Sequence, residues 1–547
     1  MDQYTRNYPS KIIFILVITV VKHEIAMGVD LTRTEKAYNV EIVNAVLDEI
    51  NYADIFKNDY QFMKRWAYVE TKYGADIANN DAWETISGKG GIWKLSAYNL
   101  EAIKSLSSSS IKLLIKNHFK VDIMELKFDQ GHLRVPFYCG LAARLFLHIK
   151  SEKVPLSIDN QAQLWKEIIN LEGNIDTFKS QVVNMPSECI SAAADVLFVL
   201  DSSGSIGAET FKLQRNFVKN VANNLELHDE AYKMGVDVFS NIDQITTWIP
   251  ISSNKTEILL MTEKIPYYNS WTYIAEALLH AVNYSLRTEN GMRESKLGIP
   301  KVLILITDGQ PSPLETDTLN KTRNASELIK ALGVEFISIG VGNAPDFILL
   351  SDMASKPKNL HVFHLDTYYA LANEFVPELI QRTCTSLATL EEEAIIQNTI
   401  KENEVLYYQY EVRIETGFTV TVETSDGEVI LYLSTKIRFP NEFSYDYKVV
   451  ATPKQLGEIY LSPELLKELI KHSSSGNRRR RQTDDEIPQM STVFLGVKGL
   501  RSSNTFTLTG NAGDHRQADT ANSTSAPCKY NACCNFHFPL HDYDLMI

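Results

Sequence analysis

The stretch Asp195 to Gly207 reads DVLFVLDSSGSIG, and its two halves obey different rules. Val196 to Leu200 is a short unbroken apolar run, as expected of a strand buried on both faces, and Ser and Gly residues then turn the chain toward a helix over Glu209 to Leu225. The alternation continues. Apolar runs at Met234 to Phe239, Ile245 to Ile249, Val302 to Ile306, Val334 to Val341 and Val362 to Leu365 are separated by helix-like segments at Thr272 to Leu286, Leu319 to Leu332 and Tyr368 to Arg382. Strands alternating with helices predict a doubly wound α/β domain, because parallel neighbours need a crossover and a helix supplies it. The link between the second and third runs is too short for a crossover, so that edge is expected to be antiparallel.

In an open sheet of this kind ligands sit in the crevice outside the carboxyl ends of the strands, and Asp201-Ser202-Ser203-Gly204-Ser205 falls there. Asp201, Ser203 and Ser205 offer a carboxylate and two hydroxyls. Thr272, opening a helix, and Asp308, closing a strand before Gly309, add two more oxygen donors. Hard donors of this type suit Mg²⁺, Ca²⁺ or Mn²⁺ rather than zinc. Gly309 is expected to permit a tight exit that exposes the Asp308 carboxylate. The alternative is that Asp201, Ser203 and Ser205 only cap the helix starting near Ala208.

DVLFVLDSSGSIG, with WTYIAEAL from Trp271 and KVLILITDGQPS from Lys301, closely resembles the von Willebrand factor type A domain and its metal-ion-dependent adhesion site. The resemblance covers Ala192 to Thr383 and implies a Rossmann-like central domain over 192–385. It also implies that Ser203, Ser205 and Thr272 touch the ion directly while Asp201 and Asp308 act largely through water. An ion with few anionic ligands stays electrophilic, so a carboxylate from a protein partner completes its shell. The sequence departs from the family at Ile274 and Ala275, where a second Thr and a Gly are common, but neither position is a ligand.

At 547 residues the chain is long enough for several cores. An α-rich N-terminal domain is expected over 28–188, with helical spacing in Val40, Ile42, Val43, Val46, Leu47 and Ile50. Beyond Cys384 an acidic, helix-like Leu390 to Ile400 leads into short runs rich in β-branched and aromatic residues, so 386–470 is read as a β-sandwich-like module. A basic polar linker follows over 471–490, then a further β segment and a cysteine-containing tail over 491–547.

Residues 1–27 combine Arg6 and Lys11, the apolar run Ile12 to Val21 and a small residue at Ala26, the pattern of a signal peptide. A buried first helix or an uncleaved anchor is the alternative. No later segment has the roughly 20 apolar residues a spanning helix needs, so the protein is expected to be secreted, with no membrane span in the mature chain. The net charge of -14 argues against general nucleic-acid binding, which needs clustered cations.

Cys189 and Cys384 bracket the central domain, whose ends lie close together in this architecture, so a disulfide between them is geometrically reasonable. The pairing of Cys139, Cys528, Cys533 and Cys534 is open. Sequons at Asn254, Asn283, Asn320, Asn324 and Asn522 permit glycosylation in an extracellular protein. Arg478, Arg479, Arg480 and Arg481 resemble a furin-type processing site, with a solvated charge run or a heparin-binding patch as alternatives.

A second function class rests on Glu70, in the helix-like Trp66 to Thr71 and followed by Gly90-Gly91-Ile92-Trp93. This order loosely resembles lysozyme-like transglycosylases, in which a carboxylic acid in a partly apolar pocket protonates a glycosidic oxygen. Otherwise Glu70 is an ordinary helix residue. The two readings are therefore metal-dependent adhesion by a non-enzyme and glycan cleavage with an attached binding domain.

Overall fold

The computed structural model describes residues 26–79, 83, 88–128, 130–186, 189–471 and 490–513. Its first strand is β1 (Ala26–Asp30), and a helical region follows from the helix Val40–Tyr52 to the helix Ile175–Val183. The helix Pro136–Lys150 is the hub of that region, burying Phe137, Leu141, Leu145 and Phe146 among others. Trp66 and Trp93 are also fully enclosed.

The central domain has strands β2 (Ala194–Asp201), β3 (Tyr232–Phe239), β4 (Ile245–Ser252), β5 (Lys301–Thr307), β6 (Val334–Val341) and β7 (Val362–Leu365). Their spatial order is β4-β3-β2-β5-β6-β7. All neighbours are parallel except β4, which runs antiparallel to β3 along the edge. Every residue of β2 is buried, because helices cover both faces of the sheet. Val196, Phe198 and Leu200 pack with Phe211 and Phe217 of the helix Ala208–Asn224. Leu197 and Val199 point the other way, toward Leu278 and Ile329 of the helices Ile274–His280 and Thr316–Ala331. The carboxyl ends of the strands thus share one rim.

Three elements differ from the sequence reading, and the first is Tyr368 to Arg382, which forms two helices, Tyr368–Asn373 and Val376–Cys384, rather than one. The segment Thr272 to Leu286 is an α-helix only over Ile274–His280, and a π-helical turn over Ala281–Ser285 follows it. Leu390 to Ile400 is not helical: β8 (Ala388–Leu390) ends, Glu393 takes a left-handed φ of 66°, and β9 (Ile396–Ile400) begins. Sheet pairing overrides the local helical preference of the glutamates there.

Apart from a short antiparallel pair in the helical region, Lys89–Gly90 with Leu95–Ser96, the remaining strands are β10 (Val405–Arg413), β11 (Phe418–Asp426), β12 (Val429–Ser434), β13 (Ser444–Ala451), β14 (Gly457–Leu461), β15 (Met490–Gly499) and β16 (Asn504–Ala512). They form two sheets, ordered β1-β13-β12-β15-β10-β8 and β9-β16-β11-β14. The two sheets enclose a shared core that includes Tyr410, Phe418, Leu431 and Leu495. Strands from both sides of the linker therefore build one sandwich, and β1 joins its edge by antiparallel pairing with β13. Residues 1–25 of the leader expected over 1–27 lie outside the described residues, and its last two, Ala26 and Met27, open β1. Cleavage before Ala26 keeps β1 whole, whereas cleavage at Gly28 removes its first two residues.

The regions touch. Tyr60 meets Phe363 with ring centroids 6.3 Å apart, and the Gln61 amide donates to Glu378 Oε2 at 2.8 Å. Cys189 and Cys384 form a disulfide with their Cα atoms 4.9 Å apart, tying the entry of the central domain to its exit.

Candidate metal centre

Asp201 is the last residue of β2 and has no solvent exposure. Its Oδ1 accepts the Ser203 backbone N–H at 2.8 Å and its Oδ2 accepts the Thr307 hydroxyl at 2.5 Å. The Ser203 and Ser205 hydroxyls lie 3.1 Å apart, and the Ser205 hydroxyl donates to Asp308 Oδ1 at 2.8 Å. Asp201, Ser203, Ser205 and Asp308 are therefore linked across the tips of β2 and β5.

Thr272 arrives on the loop 266–273, which is stitched to the first turn. Asn269 N–H donates to the Ser202 carbonyl at 3.0 Å, and Gly204 N–H donates to the Ser270 carbonyl at 2.9 Å. On its other side the Thr272 carbonyl accepts Ser312 N–H at 2.9 Å. A Cβ built on Gly309 lies 3.5 Å from Thr272 Oγ1 and 3.7 Å from Ser205 Oγ, so both hydroxyls border the space in front of this glycine. The expectation about Gly309 needs correction: its φ is not left-handed, and what the missing side chain provides is room in the crevice.

Neither carboxylate has an ion-pair partner among the described residues. Burial pushes Asp201 up to about 6, against the hydrogen bonds from Ser203 and Thr307, and the Asp308 charge adds to the rise. Burial raises Asp308 as well. Two partly desolvated carboxylates facing three hydroxyls, without a basic side chain, form a donor set that fits a hard divalent cation. Helix capping alone does not account for it, since the helix Ala208–Asn224 has Gly207 at its N-cap with no side-chain cap bond.

The sequence reading missed the supporting groups. Thr307 fixes Asp201; the Ser240 hydroxyl donates to the Trp271 carbonyl at 2.9 Å and accepts Ser270 N–H at 3.1 Å, fixing the Thr272 loop. The Tyr368 hydroxyl is enclosed and has no hydrogen-bond partner among the described residues. Burial, followed by the charges of Asp308 and Asp201, drives it well above the ordinary tyrosine range. Thr307 and Tyr368 sit where a strand end and a helix start were legible, but only the tertiary fold brings Thr307 to the Asp201 carboxylate and encloses the Tyr368 hydroxyl.

Residues 195–377 match the von Willebrand factor type A domain. This segment is a von Willebrand factor type A domain. Chicken (Gallus gallus) matrilin-1 is 27% identical over 217 residues, 39% of this chain and 41% of the relative. Human matrilin-3 is 28% identical over 180 residues, 33% and 35% respectively. Cuticlin-6 of Caenorhabditis elegans is 27% identical over 198 residues, 36% and 32%. The chain thus spans less than half the length of these relatives. Among solved structures, proximal thread matrix protein 1 from the mussel byssus aligns with TM-score 0.30 at 25% identity, covering 36% of this chain and 47% of that one. Another structure of that protein, at 23% identity, 39% and 52% coverage and the same TM-score of 0.30, has a zinc-occupied MIDAS motif.

Outside the von Willebrand A domain, Glu70 is 8% exposed and already engaged. Its Oε1 accepts the Trp165 indole N–H at 2.9 Å and the Asn170 amide at 3.3 Å, and the Lys94 ammonium lies 3.9 Å from Oε2. It lines neither the cleft around Arg33 and Tyr445 nor the one around Asp59 and Arg438. A glycosidic acid must face its substrate, and these bonds instead hold Glu70 against the neighbouring helix.

Asn254, Asn283, Asn320 and Asn324 are exposed, and Cys139 is buried and unpaired. Asn522, Arg478 to Arg481, Cys528, Cys533 and Cys534 lie outside the described residues. Among the described residues no helix is long and apolar enough to cross a membrane.

Proposed function

We propose that this chain is a secreted extracellular protein that binds protein ligands through a divalent cation, Mg²⁺ or otherwise Ca²⁺ or Mn²⁺, held by the von Willebrand A domain. The observation that carries the reading is the meeting of Ser203, Ser205 and Thr272 beside two carboxylates, Asp201 and Asp308, that have no cationic partner among the described residues. When bound, the cation supplies a Lewis-acidic position for a partner's carboxylate. The three hydroxyls supply neutral donors, Asp201 and Asp308 supply negative charge, and Thr307 and Ser240 hold the rim in place.

The matrilins, the cuticlin and a collagen alpha-1(XII) chain from Notophthalmus viridescens support an extracellular matrix setting and a non-enzymatic role. Export by the N-terminal leader, glycans on the exposed asparagines and processing at Arg478 to Arg481 complete the proposal. Thermal unfolding with and without Mg²⁺ tests it: the parent gains stability with the ion, and Asp201→Ala and Asp308→Ala gain none. Equal gains in all three proteins refute the assignment.

A further inference from the structure

The loops that surround the metal crevice have an uneven chemistry. Five segments at the carboxyl ends of the central strands, 201–208, 240–244, 308–315, 342–347 and 366–367, and the loop 266–273 beside them contain no Lys, Arg or His; the basic groups that reach them are Lys153, paired with Asp366 at 2.6 Å, and His364, bonded to the Gly342 carbonyl at 2.7 Å. Asp243 and Glu315 stand exposed on this rim, with Asp317 in the first turn of the helix that follows. None of these three carboxylates has an ion-pair partner among the described residues. Large apolar side chains are exposed on the same face: Trp271 is 65% exposed, Ile242 61%, Leu314 59%, Ile348 74% and Tyr369 62%. Trp271 is held there by its backbone, since its carbonyl accepts the Ser240 hydroxyl. Behind the crevice Tyr368 is 6% exposed, and its enclosed hydroxyl has no hydrogen-bond partner among the described residues.

This inference rests on the metal reading above and adds the character of the partner. A lone acidic residue approaching such a rim meets repulsion from Asp243, Glu315 and Asp317 before it reaches the crevice, and like-charge juxtaposition across an interface is strongly unfavourable. Positive charges beside that acid reverse the sign. Apolar contact with an exposed indole supplies the desolvated anchor that interfaces favour. We infer that the domain takes a protein segment in which one carboxylate is flanked on both sides by Arg or Lys and accompanied by an aliphatic or aromatic side chain that packs on Trp271.

The test uses the full chain in 5 mM Mg²⁺ on the order of physiological ionic strength, and three immobilised peptides with a central Leu-Asp pair. The pair is flanked on each side by two arginines, two glutamines or two glutamates. The arginine peptide is expected to bind at least about tenfold more tightly than the glutamine peptide, and the glutamate peptide least. The triple variant Asp243→Asn, Glu315→Gln, Asp317→Asn should retain Mg²⁺ binding by calorimetry while the arginine preference falls below about threefold. Trp271→Ala should weaken all three peptides. Normal Mg²⁺ binding with equal affinities for the three peptides, or with no arginine-peptide binding, overturns this inference alone; absence of Mg²⁺ binding overturns the metal reading beneath it.

Discussion

Arg438 of the sandwich donates to the Glu335 carboxylate of the central domain at 3.2 Å, and both side chains are buried. His361 Nε2 lies 2.5 Å from the same oxygen. Burial alone would raise the Glu335 pKa; the charges of His361 and Arg438, with the Ser386 hydroxyl, outweigh it and hold the group down at about 2. The folded state therefore favours the carboxylate, so this contribution to stability is complete above the ordinary value of 4.5 and disappears as pH falls toward 2. Arg438→Met removes one partner from a buried charge and should cost on the order of 3 kcal/mol in urea unfolding at pH 7. A loss below about 0.5 kcal/mol would show that the junction does not depend on this pair.

The opposite sign holds at Asp237, which is fully buried on β3 and accepts the Ser285 hydroxyl at 2.7 Å. Ser285 also meets Thr247 at 2.6 Å, and Thr247 meets His280 at 2.9 Å. Burial pushes Asp237 up to about 7. The folded state keeps a proton that the unfolded chain releases above pH 3.8, so stability falls as pH rises from 3.8 to about 7. The contribution reaches about 1.4 kcal/mol per pH unit. Urea unfolding between pH 5 and 7 should show this slope in the parent and its loss in Asp237→Asn; parallel curves would contradict it.

Gly309 offers a test of the crevice that spares the fold. Its backbone conformation is open to other residues, and a Cβ there makes only ordinary contact with Thr272 and Ser205. The branched side chain in Gly309→Val enters the space before those hydroxyls. It should weaken divalent-cation affinity at least about tenfold with a stability change within about 1 kcal/mol. Unchanged affinity places the ion elsewhere.

β15 lies between β12 and β10, and β16 lies between β9 and β11, so the chain after the arginine run supplies an inner strand to each sheet. Cleavage at Arg478 to Arg481 should leave the two pieces joined. After furin treatment in reducing buffer, they are expected to separate on a denaturing gel and to co-elute in native size exclusion. Native release of the C-terminal piece would contradict this arrangement.

What was legible in the sequence follows from how locally each feature is determined. The continuous apolar runs of the central sheet mark strands buried on both faces, and the short link after Phe239 predicts the antiparallel edge that β4 forms. The five candidate ligands could be singled out in the sequence because each lies at a strand end or in the turn between a strand and a helix. β1 was not: Ala26–Asp30 continues the leader-like stretch, and only its pairing with β13, more than 400 positions away, makes it a strand. The joining of β15 and β16 to the sandwich is equally non-local. Ser240 and Tyr368 carry no motif; they matter through what they face.

The most direct measurement is a calorimetric titration of the full chain with Mn²⁺ and Mg²⁺, alongside Thr272→Ala and the pair Ser203→Ala, Ser205→Ala. The account predicts one ion per parent chain and loss of that binding in both variants, with their folds intact by circular dichroism. Undiminished binding in the folded variants, or none in the parent, would contradict it.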